Sequence, residues 1–499
     1  MTDSILKLQN GSDVRGIALE GIEGEKVNLT SKEANVIAQA FVRWLENKSG
    51  KKAADLKIAI GRDSRLSGPD LEKAAASGIK AAGAEVVLCG LSTTPSMFMS
   101  LVFEETKFDG SVMITASHLP FNRNGLKFFD KDGGLEHDDI TSILQTASGL
   151  EPKENNVSAT AHFDLISLYA SHLTGAIKKG CAPGEKPLSG LHIIVDSGNG
   201  ASGFFVDKIL KPLGADTEGS QFLEPDGHFP NHIPNPENKE AMESIKSAVI
   251  KSHADLGLIF DTDVDRMSAV LDNGEEVNRD SIIALISAIL APENKGATIV
   301  TDSVTSDRLT YFLEKELGLK HLCYMRGYKN VINKQKELNE KGINCPLAME
   351  TSGHGALKEN WYLDDGAYLA VKMIIALAKA YKMGKKLGSL IEKLPPAGSE
   401  GEYRFKIQCE DFKEYGKNVL KEFKKRAEEK GYTLPENFEG VRLSFKENPE
   451  GWLLLRMSLH DPVMPLNIEG KTEADREALK KIAAELLEGF DKLDKNCIK

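Results

Sequence analysis

Alternating aspartates mark the segment DTDVDR, residues 261–266, which lies between two apolar runs that predict strands. Carboxylates spaced in this way on a tight loop can face one point, and their oxygens suit a hard cation such as Mg²⁺. The segment does not fit an EF-hand loop, because Arg266 stands where that loop needs a glycine. Asp261, Asp263 and Asp265 are therefore candidate metal ligands, and the alternative is a solvated acidic turn.

A serine and a histidine are adjacent in TASHLPFNRNGLKFF, residues 115–129, directly after the apolar run VMIT. Ser117 and His118 invite comparison with a hydrolase, but the segment lacks the glycine-flanked elbow that presents a hydrolase nucleophile. The residues alone leave the role of this serine open.

Two later loops carry groups that can bind a sugar or a phosphate. The first, AMETSGHG at 348–355, offers glutamate, serine and histidine side chains for hydrogen bonds with vicinal hydroxyls. The second, within residues 453–468, offers a guanidinium and a hydroxyl between two predicted strands, a combination that binds phosphate. For the first loop alone a structural turn is the more frequent explanation, and for the second a polar loop with an incidental arginine is an equal alternative.

Arginines also stand beside glycines in GSDVRG, residues 11–16, and in GRDSRLSG, residues 61–68. Arg15, Arg62 and Arg65 are weak indications of anion binding, because guanidinium groups form paired hydrogen bonds with phosphates.

The segment GNGASG, residues 198–203, matches the glycine pattern of a dinucleotide-binding loop. However, Asp196 precedes the glycines at the strand end, and the following segment ADTEGSQ is hardly apolar. We therefore favour a tight turn after a strand over a dinucleotide site.

Residues 56–90, 191–219 and 297–327 share one order of features: strand, polar loop with aspartate, amphipathic helix, glycine, strand. Such units form largely parallel sheets covered by helices, so three α/β domains are expected in series.

The last hundred or so residues differ from these units. A strand, EYRFKIQ, precedes a charged helix at 411–429, a hairpin follows, and Thr472 is a candidate cap for a final helix. The predicted fold is α/β, with three successive α/β domains with mixed, helix-covered sheets and a smaller C-terminal α+β domain around a central cleft. The predicted domain bounds are 1–155, 156–295, 296–396 and 397–499.

The composition of the chain argues against several classes of protein and indicates its compartment. The 499 residues carry a formal net charge of −11, which argues against nucleic acid or an anionic membrane as the main partner. The six cysteines show no paired short spacing, as expected in a reducing compartment. No signal peptide or membrane span is predicted. We expect a cytoplasmic protein, or one of an organelle such as a plastid if a transit peptide has been removed.

The set and order of these loops resemble the α-D-phosphohexomutase superfamily, the phosphoglucomutases and phosphomannomutases. The resemblance covers essentially the whole chain and includes GRDSRLSG and DGHFPNHIPNPE, residues 226–237. It implies a mutase that interconverts hexose 1-phosphate and hexose 6-phosphate, for glucose or mannose, through a phosphoserine and a bisphosphorylated sugar. Implied with it are Mg²⁺, hexose 1,6-bisphosphate as activator, and small hexose phosphates as partners of a monomer or homodimer.

The resemblance also implies roles for individual residues. Ser117 matches the serine that carries the phosphoryl group, and its phosphoserine oxygen completes a Mg²⁺ site formed by Asp261, Asp263 and Asp265. The charged groups around the transferring phosphoryl group match Arg15, His118, Lys127, Arg266 and His354.

The substrate contacts are implied in the same way. Glu350 and Ser352 match the residues that contact sugar hydroxyls. Arg456 and Ser458 match the start of the loop that binds the non-reacting phosphate, and a protonated His460 is a further candidate.

Two loops depart from the family pattern. Leu119 replaces an asparagine beside the Ser–His pair, and RMSLHDP, residues 456–462, stands where the family has Arg-x-Ser-Gly-Thr-Glu-Pro. Leu459 in place of glycine restricts the backbone, and His460 in place of threonine removes a compact hydroxyl donor. The alternatives are therefore a sugar-phosphate-binding or regulatory paralogue with weak or no turnover, or a mutase for another phosphosugar such as glucosamine phosphate. A dinucleotide-dependent oxidoreductase is a more distant alternative.

Overall fold

The computed structural model describes residues 2–181, 184–458 and 461–498, and for residues 2 and 3 it describes the backbone. This part of the chain divides into two compact units. The first unit comprises Met1–Asn278, Ser352–Gly355 and Leu363–Ser389, and the second comprises Arg279–Thr351, Ala356–Tyr362 and Leu390–Lys499.

The N-terminal part of the chain forms a mixed sheet. Its strands are β1 (Gln9–Asn10), β2 (Asp13–Ile17), β3 (Lys57–Arg62), β4 (Glu85–Leu91), β5 (Gly110–Ile114), β6 (Arg123–Asp130), β7 (Gly133–Gly134) and β8 (Ala161–His162). They lie in the order β1-β2-β6-β5-β3-β4-β8, with β7 beside β6. β3 is parallel to β4 and β5, whereas β6 is antiparallel to β5 and β2.

Four helices pack on this sheet through one apolar core. They are α1 (Thr2–Leu6), α2 (Ser31–Ser49), α3 (Gly68–Ala81) and α5 (His137–Ser148), and the buried helix α4 (Thr94–Met99) follows β4. α2 begins at a capping box formed by Thr30 and Glu33 and ends at Gly50 in the left-handed conformation, so its termini are satisfied locally. Phe41 of α2 packs on Phe128 of β6 with ring centroids 4.8 Å apart.

The next sheet holds the acidic loop. Its strands are β9 (Ile193–Asp196), β10 (Leu256–Phe260), β11 (Met267–Leu271) and β12 (Glu276–Val277), in the order β12-β11-β10-β9. Helices α6 (Leu165–Gly180) and α7 (Lys239–Ser252) belong to this part of the chain. β9, β10 and β11 are buried throughout, in keeping with their continuous apolar sequences. DTDVDR connects the antiparallel strands β10 and β11.

The third stretch alternates strands and helices, and the division between the two units falls within it. Its elements are α8 (Arg279–Leu290), β13 (Thr298–Thr301), α9 (Asp307–Tyr311), β14 (Lys320–Cys323), α10 (Tyr328–Glu340), β15 (Leu347–Met349), β16 (Gly355–Leu357), β17 (Leu363–Asp364) and α11 (Gly366–Lys382). β13 pairs in parallel with both β14 and β15, as expected for strands connected through helices.

The C-terminal stretch forms an antiparallel sheet. Its elements are β18 (Ser399–Ile407), α12 (Phe412–Glu429), β19 (Val441–Lys446), β20 (Glu450–Leu455), β21 (Val463–Gly470), α13 (Glu473–Leu486) and β22 (Leu493–Asp494). The strands lie in the order β19-β20-β21-β18-β22. Thr472 caps α13 as predicted, in a capping box with Asp475.

Short 3-10 or π-helical segments occur at Ala53–Asp55, Phe205–Leu210, Ala291–Glu293, Phe312–Glu316, Lys358–Asn360, Leu387–Leu390 and Asn496–Ile498. Within the described ranges, no helix is long and apolar enough to cross a bilayer. The predicted fold class, α/β sheets followed by a smaller α+β part, is confirmed.

Candidate active site

Ser117 lies in the loop after β5, with its side chain buried. Its hydroxyl donates a hydrogen bond to Oδ2 of Asp261 at 2.8 Å and lies 3.2 Å from Nδ1 of His118. The backbone of Ser117 has φ 50°, in the left-handed region that non-glycine residues rarely adopt. Such a conformation costs about 1–3 kcal/mol and persists only where surrounding contacts hold it.

Arg65 supplies many of those contacts. Its side chain is fully buried, and its Nη2 donates to the carbonyl oxygens of Ser117 and Leu119 at 2.5 and 2.6 Å. Its Nη1 donates to the carbonyl oxygens of Pro120 and Arg123 at 2.8 and 2.9 Å. The guanidinium therefore binds the backbone of the serine loop, and its role is structural instead of the anion binding that the sequence suggested.

A second network fixes the serine from the β5 side. The Thr115 hydroxyl accepts from the Ser117 amide at 2.9 Å and donates to Asp63 at 2.7 Å. Asp63 also accepts from the Arg65 amide at 2.9 Å. Burial raises the pKa of Asp63 to about 6, although the Arg65 charge opposes the shift.

The acidic loop brings the three predicted metal ligands together. One oxygen each from Asp261, Asp263 and Asp265 lies within 4.8 Å of the others, and all three side chains are buried. Among the described residues, Oδ1 of Asp263 and Oδ1 of Asp265 have no hydrogen-bond partner. Buried carboxylate oxygens without partners are costly unless a cation binds them. The donor set therefore fits a hard divalent cation such as Mg²⁺.

Burial and the charges of neighbouring groups shift the pKa values of Asp261 and Asp265 in opposite directions. Burial and then the charges of Asp265 and Asp263 raise the pKa of Asp261 well above its usual value. Burial acts in the same direction on Asp265, but Lys127, His354 and Arg266 together lower its pKa below the usual range. The loop thus holds more negative charge than its protein neighbours fully neutralise.

The glycine-rich segment packs directly against the acidic loop. Ala201 donates its amide to the carbonyl oxygen of Thr262 at 2.9 Å. A Cβ at Gly200 would lie 2.9 Å from the backbone of Thr262, so this position requires glycine for close approach. The preferred interpretation of GNGASG as a tight turn fits this arrangement.

Cationic side chains surround the carboxylates. Nζ of Lys127 lies 2.5 Å from Asp265 and 3.6 Å from Asp263. Nε of Arg266 lies 3.8 Å from Asp261. Arg15 forms an ion pair with Asp13 at 3.0 Å. Burial opposes the shift, but the charges of Asp13, Asp263 and Asp265 raise the pKa of Arg15.

The pKa values of the two histidines of this site are shifted in opposite directions. The positive charge of Arg266 and then burial lower the pKa of His118 to about 2, which makes its imidazole neutral at pH 7. For His354, burial lowers the pKa, but the carboxylate of Asp364 outweighs it and the net pKa is raised. A neutral imidazole beside Ser117 can accept a proton, whereas a charged one can stabilise anions.

Asp364 is a functional neighbour that the sequence interpretation missed. Its carboxylate contacts Nδ1 of His354 and accepts from the Gly355 amide at 2.9 Å. The available signal was the dipeptide Asp364-Asp365 ahead of a glycine. A Cβ at Gly366 would lie 2.7 Å from the carbonyl of Arg266, so the start of α11 packs closely on the acidic loop.

In the second unit, Glu350 is buried after β15, and its Oε1 accepts from the Gly327 amide at 2.7 Å. Burial and then the charge of Glu350 raise the pKa of the adjacent Asp302 to about 7. The Thr351 hydroxyl donates to Asp302 at 2.8 Å. The predicted sugar-binding glutamate is thus held in a polar, acidic setting.

The predicted phosphate loop follows β20 in the same unit. Arg456 is buried, and its Nη1 lies 3.8 Å from Oε1 of Glu439. Within the described residues its Nε has no hydrogen-bond partner. Ser458 donates its amide to the carbonyl of Val463 at 2.9 Å. Leu459 and His460 lie outside the described residues.

The structure therefore gathers part of the predicted site in the first unit and part in the second. The first unit holds Ser117, His118, Lys127, Arg15, Asp261, Asp263, Asp265, Arg266, Ser352 and His354, and the second holds Glu350, Arg456 and Ser458. The hydroxyl of Ser352 is buried without a hydrogen-bond partner among the described residues, and is thus available to a ligand.

Three family models match consecutive parts of the chain. They are described as phosphoglucomutase/phosphomannomutase, alpha/beta/alpha domains I, II and III, and they match residues 7–152, 168–274 and 278–397.

Curated relatives match along nearly their whole length. A phosphoglucomutase of Neisseria gonorrhoeae is 30% identical over 466 residues, covering 93% of this chain and 94% of the relative. A phosphomannomutase/phosphoglucomutase of Pseudomonas aeruginosa is 29% identical over 480 residues, covering 96% of each chain. Among solved structures, a phosphoglucomutase/phosphomannomutase family protein of Burkholderia thailandensis gives a TM-score of 0.78 at 26% identity, covering 98% of this chain and 97% of that chain.

We predict that Arg65→Lys strongly destabilises the protein. A lysine cannot bind four carbonyl oxygens, and Asp63 would lose its buried partner, so a loss of about 3 kcal/mol is expected. Urea unfolding measures the difference. Arg62→Lys, at the partly exposed end of β3, is the control, and equal stabilities of the two variants would contradict the prediction.

We further predict that Mg²⁺ stabilises the protein against heat, because it neutralises carboxylates that repel one another. At about 100 times the Kd, the gain is about 2.7 kcal/mol. Thermal unfolding with Mg²⁺ and with EDTA measures it. Asp263→Asn should remove most of the response, whereas Asp302→Asn, a buried aspartate outside the cluster, should retain it; a response unaffected by Asp263→Asn would count against the site.

Proposed function

Because the chain belongs to the phosphoglucomutase/phosphomannomutase family, we propose that it interconverts hexose 1-phosphate and hexose 6-phosphate, with glucose or mannose as the sugar. The proposal includes a phosphoserine form of the protein, a bisphosphorylated sugar intermediate and hexose 1,6-bisphosphate as activator. The observation that carries it is the buried hydroxyl of Ser117, which donates a hydrogen bond to Asp261 in an acidic loop that also pairs with Lys127 and Arg266.

Ser117 carries the phosphoryl group in this proposal. Its phosphoserine gives that group to a hydroxyl of the hexose phosphate, the serine oxygen recovers a proton, and a bisphosphate forms. The bisphosphate returns its other phosphoryl group to Ser117 and leaves as the isomeric hexose phosphate. Phosphoryl transfer depends mainly on positioning and charge neutralisation, and the fixed backbone of Ser117 supports this role.

The charged residues neutralise the phosphoryl group as it moves. Lys127, Arg266 and Arg15 supply positive charge near Ser117, and His354 adds to it through its pairing with Asp364. The neutral His118 lies close enough to Ser117 to exchange a proton with it.

Asp261, Asp263 and Asp265 would hold Mg²⁺, together with an oxygen of the phosphorylated Ser117. When bound, the ion acts as a Lewis acid toward the phosphoryl oxygens. Without it, the buried carboxylates would repel an incoming phosphate.

Substrate recognition is assigned to separate loops. Glu350 and Ser352 contact sugar hydroxyls, while Arg456, Ser458 and His460 bind the phosphate that does not react. The four predicted domain bounds, a cytoplasmic location, and a monomer or homodimer remain part of the same proposal.

A second candidate is a sugar-phosphate-binding or regulatory paralogue with weak or no turnover. It is motivated by RMSLHDP, where Leu459 and His460 depart from the family pattern. A mutase for glucosamine phosphate is a third. An assay of glucose, mannose and glucosamine 1-phosphates, each with direct binding by calorimetry, separates them, since a paralogue would bind at least one sugar phosphate without converting it.

We predict turnover of glucose 1-phosphate to glucose 6-phosphate in the presence of Mg²⁺ and a trace of glucose 1,6-bisphosphate. Ser117→Ala should lower kcat by at least about a thousandfold, because no residue would carry the phosphoryl group. A coupled dehydrogenase assay measures turnover, and intact mass should show a singly phosphorylated fraction that disappears in the variant. Ser111→Ala, a buried serine of β5, is the control. Persistent phosphorylation in Ser117→Ala would exclude Ser117 as the carrier.

A further inference from the structure

Glu439 lies two residues before the start of β19, near Arg456, the residue that begins the predicted phosphate loop. Since Val441 pairs with Leu455, the next position along the hairpin places Gly440 beside Arg456. Gly440 has φ 63°, and a Cβ there would lie 2.2 Å from the Leu455 carbonyl oxygen and 2.8 Å from Cβ of Arg456. The backbone that carries Glu439 is therefore closely fixed to the end of β20.

The carboxylate of Glu439 joins three segments of the second unit. Its Oε2 accepts from the Ser303 hydroxyl at 2.6 Å and from the Arg326 amide at 2.9 Å. Its Oε1 lies 3.8 Å from Nη1 of Arg456, and its side chain is only 12% exposed. Ser303 follows β13, Arg326 precedes α10, and Arg456 follows β20, so one carboxylate links loops that are far apart in sequence.

The same turn also holds the predicted sugar-binding glutamate. Arg326 donates its amide to Glu439, and the next amide, that of Gly327, donates to Glu350 at 2.7 Å. Gly327 has φ 113°, a conformation that favours glycine, so the direction of these two adjacent amides depends on it. The packing of Phe438 on Tyr324, with ring centroids 5.0 Å apart, adds an apolar contact between the two segments.

We propose that Glu439 is a positioning residue that sets the spacing between Arg456 and Glu350, and thereby the affinity of the second unit for a hexose phosphate. The inference rests on the proposed function, in which those two residues contact substrate. At 3.8 Å the Glu439 carboxylate attracts the Arg456 guanidinium without a hydrogen bond. Nε of Arg456 is buried without a hydrogen-bond partner within the described part of the chain, so this N–H group is available to a phosphate.

Two substitutions separate the charge of Glu439 from its hydrogen bonds. Glu439→Gln keeps an oxygen that can accept from Ser303 and Arg326 but removes the charge that orients Arg456. Glu439→Ala removes both. We expect KM for glucose 1-phosphate to rise about tenfold in Glu439→Gln, which loses one charged interaction. We expect a rise of about fiftyfold in Glu439→Ala, which loses several polar interactions.

The change should fall on KM, with kcat within about threefold of wild type. Glu439 acts on groups that bind the substrate equally in the ground and transition states, and such losses raise KM alone. A merely structural defect would lower the active fraction and kcat instead. Thermal unfolding of each variant checks the fold, and Glu439→Gln remains informative if Glu439→Ala fails to fold.

Glu447→Gln and Glu447→Ala are the matched controls, because Glu447 is exposed at the turn of the same hairpin. Their KM should stay within about twofold of wild type. If the Glu439 and Glu447 variants share the same KM, the inference is overturned.

Calorimetry with glucose 6-phosphate distinguishes this inference from the proposed function. A wild-type protein that binds the sugar phosphate but shows no turnover would refute the mutase and still test Glu439. In that case, weaker binding by Glu439→Gln than by Glu447→Gln supports the positioning role. A wild-type protein that binds no hexose phosphate, or a Glu439→Gln protein with wild-type affinity, overturns it.

Discussion

Repulsion among three buried carboxylates is the constraint that organises the first unit. Oxygens of Asp261, Asp263 and Asp265 lie within 4.8 Å of one another. At an effective dielectric constant of 20, each pair of charges at that distance costs about 3 kcal/mol. Lys127 and Arg266 offset part of this energy. The unneutralised remainder favours a divalent cation, so charge balance explains why basic residues from separate strands and loops converge here.

Close backbone packing makes that convergence possible. The acidic loop contacts the glycine-rich segment through Gly200 and the start of α11 through Gly366, positions where a Cβ would collide with backbone atoms. Arg65 binds carbonyl oxygens of the serine loop, and these hydrogen bonds help to hold Ser117 in its left-handed conformation. The geometry of the serine thus depends on an arginine about fifty residues earlier in the chain.

Sequence patterns predicted the fold class and the candidate loops because their signals are local. Apolar runs marked β9, β10 and β11, and Thr472 marked the start of α13. The polar partners were harder to predict, because Arg65 and Glu439 act through contacts between segments remote in sequence. Asp364 contacts the nearby His354, but no local pattern marks that pairing. Arg65 even suggested the wrong ligand, since a guanidinium that binds carbonyl oxygens and one that binds phosphate look alike in a sequence. The contribution of His460 stays a prediction.

The two adjacent amides at Arg326 and Gly327 have a consequence for how this protein can diverge. Because one donates to Glu439 and the other to Glu350, a change in the backbone dihedral angles of Arg326, which lies between the two peptide units, disturbs their alignment with both carboxylates. Substitutions at these two glutamates are therefore not independent, and their energetic effects will not add. A substitution at one of these glutamates therefore changes the backbone that positions the other, so the effect of a second substitution depends on the first.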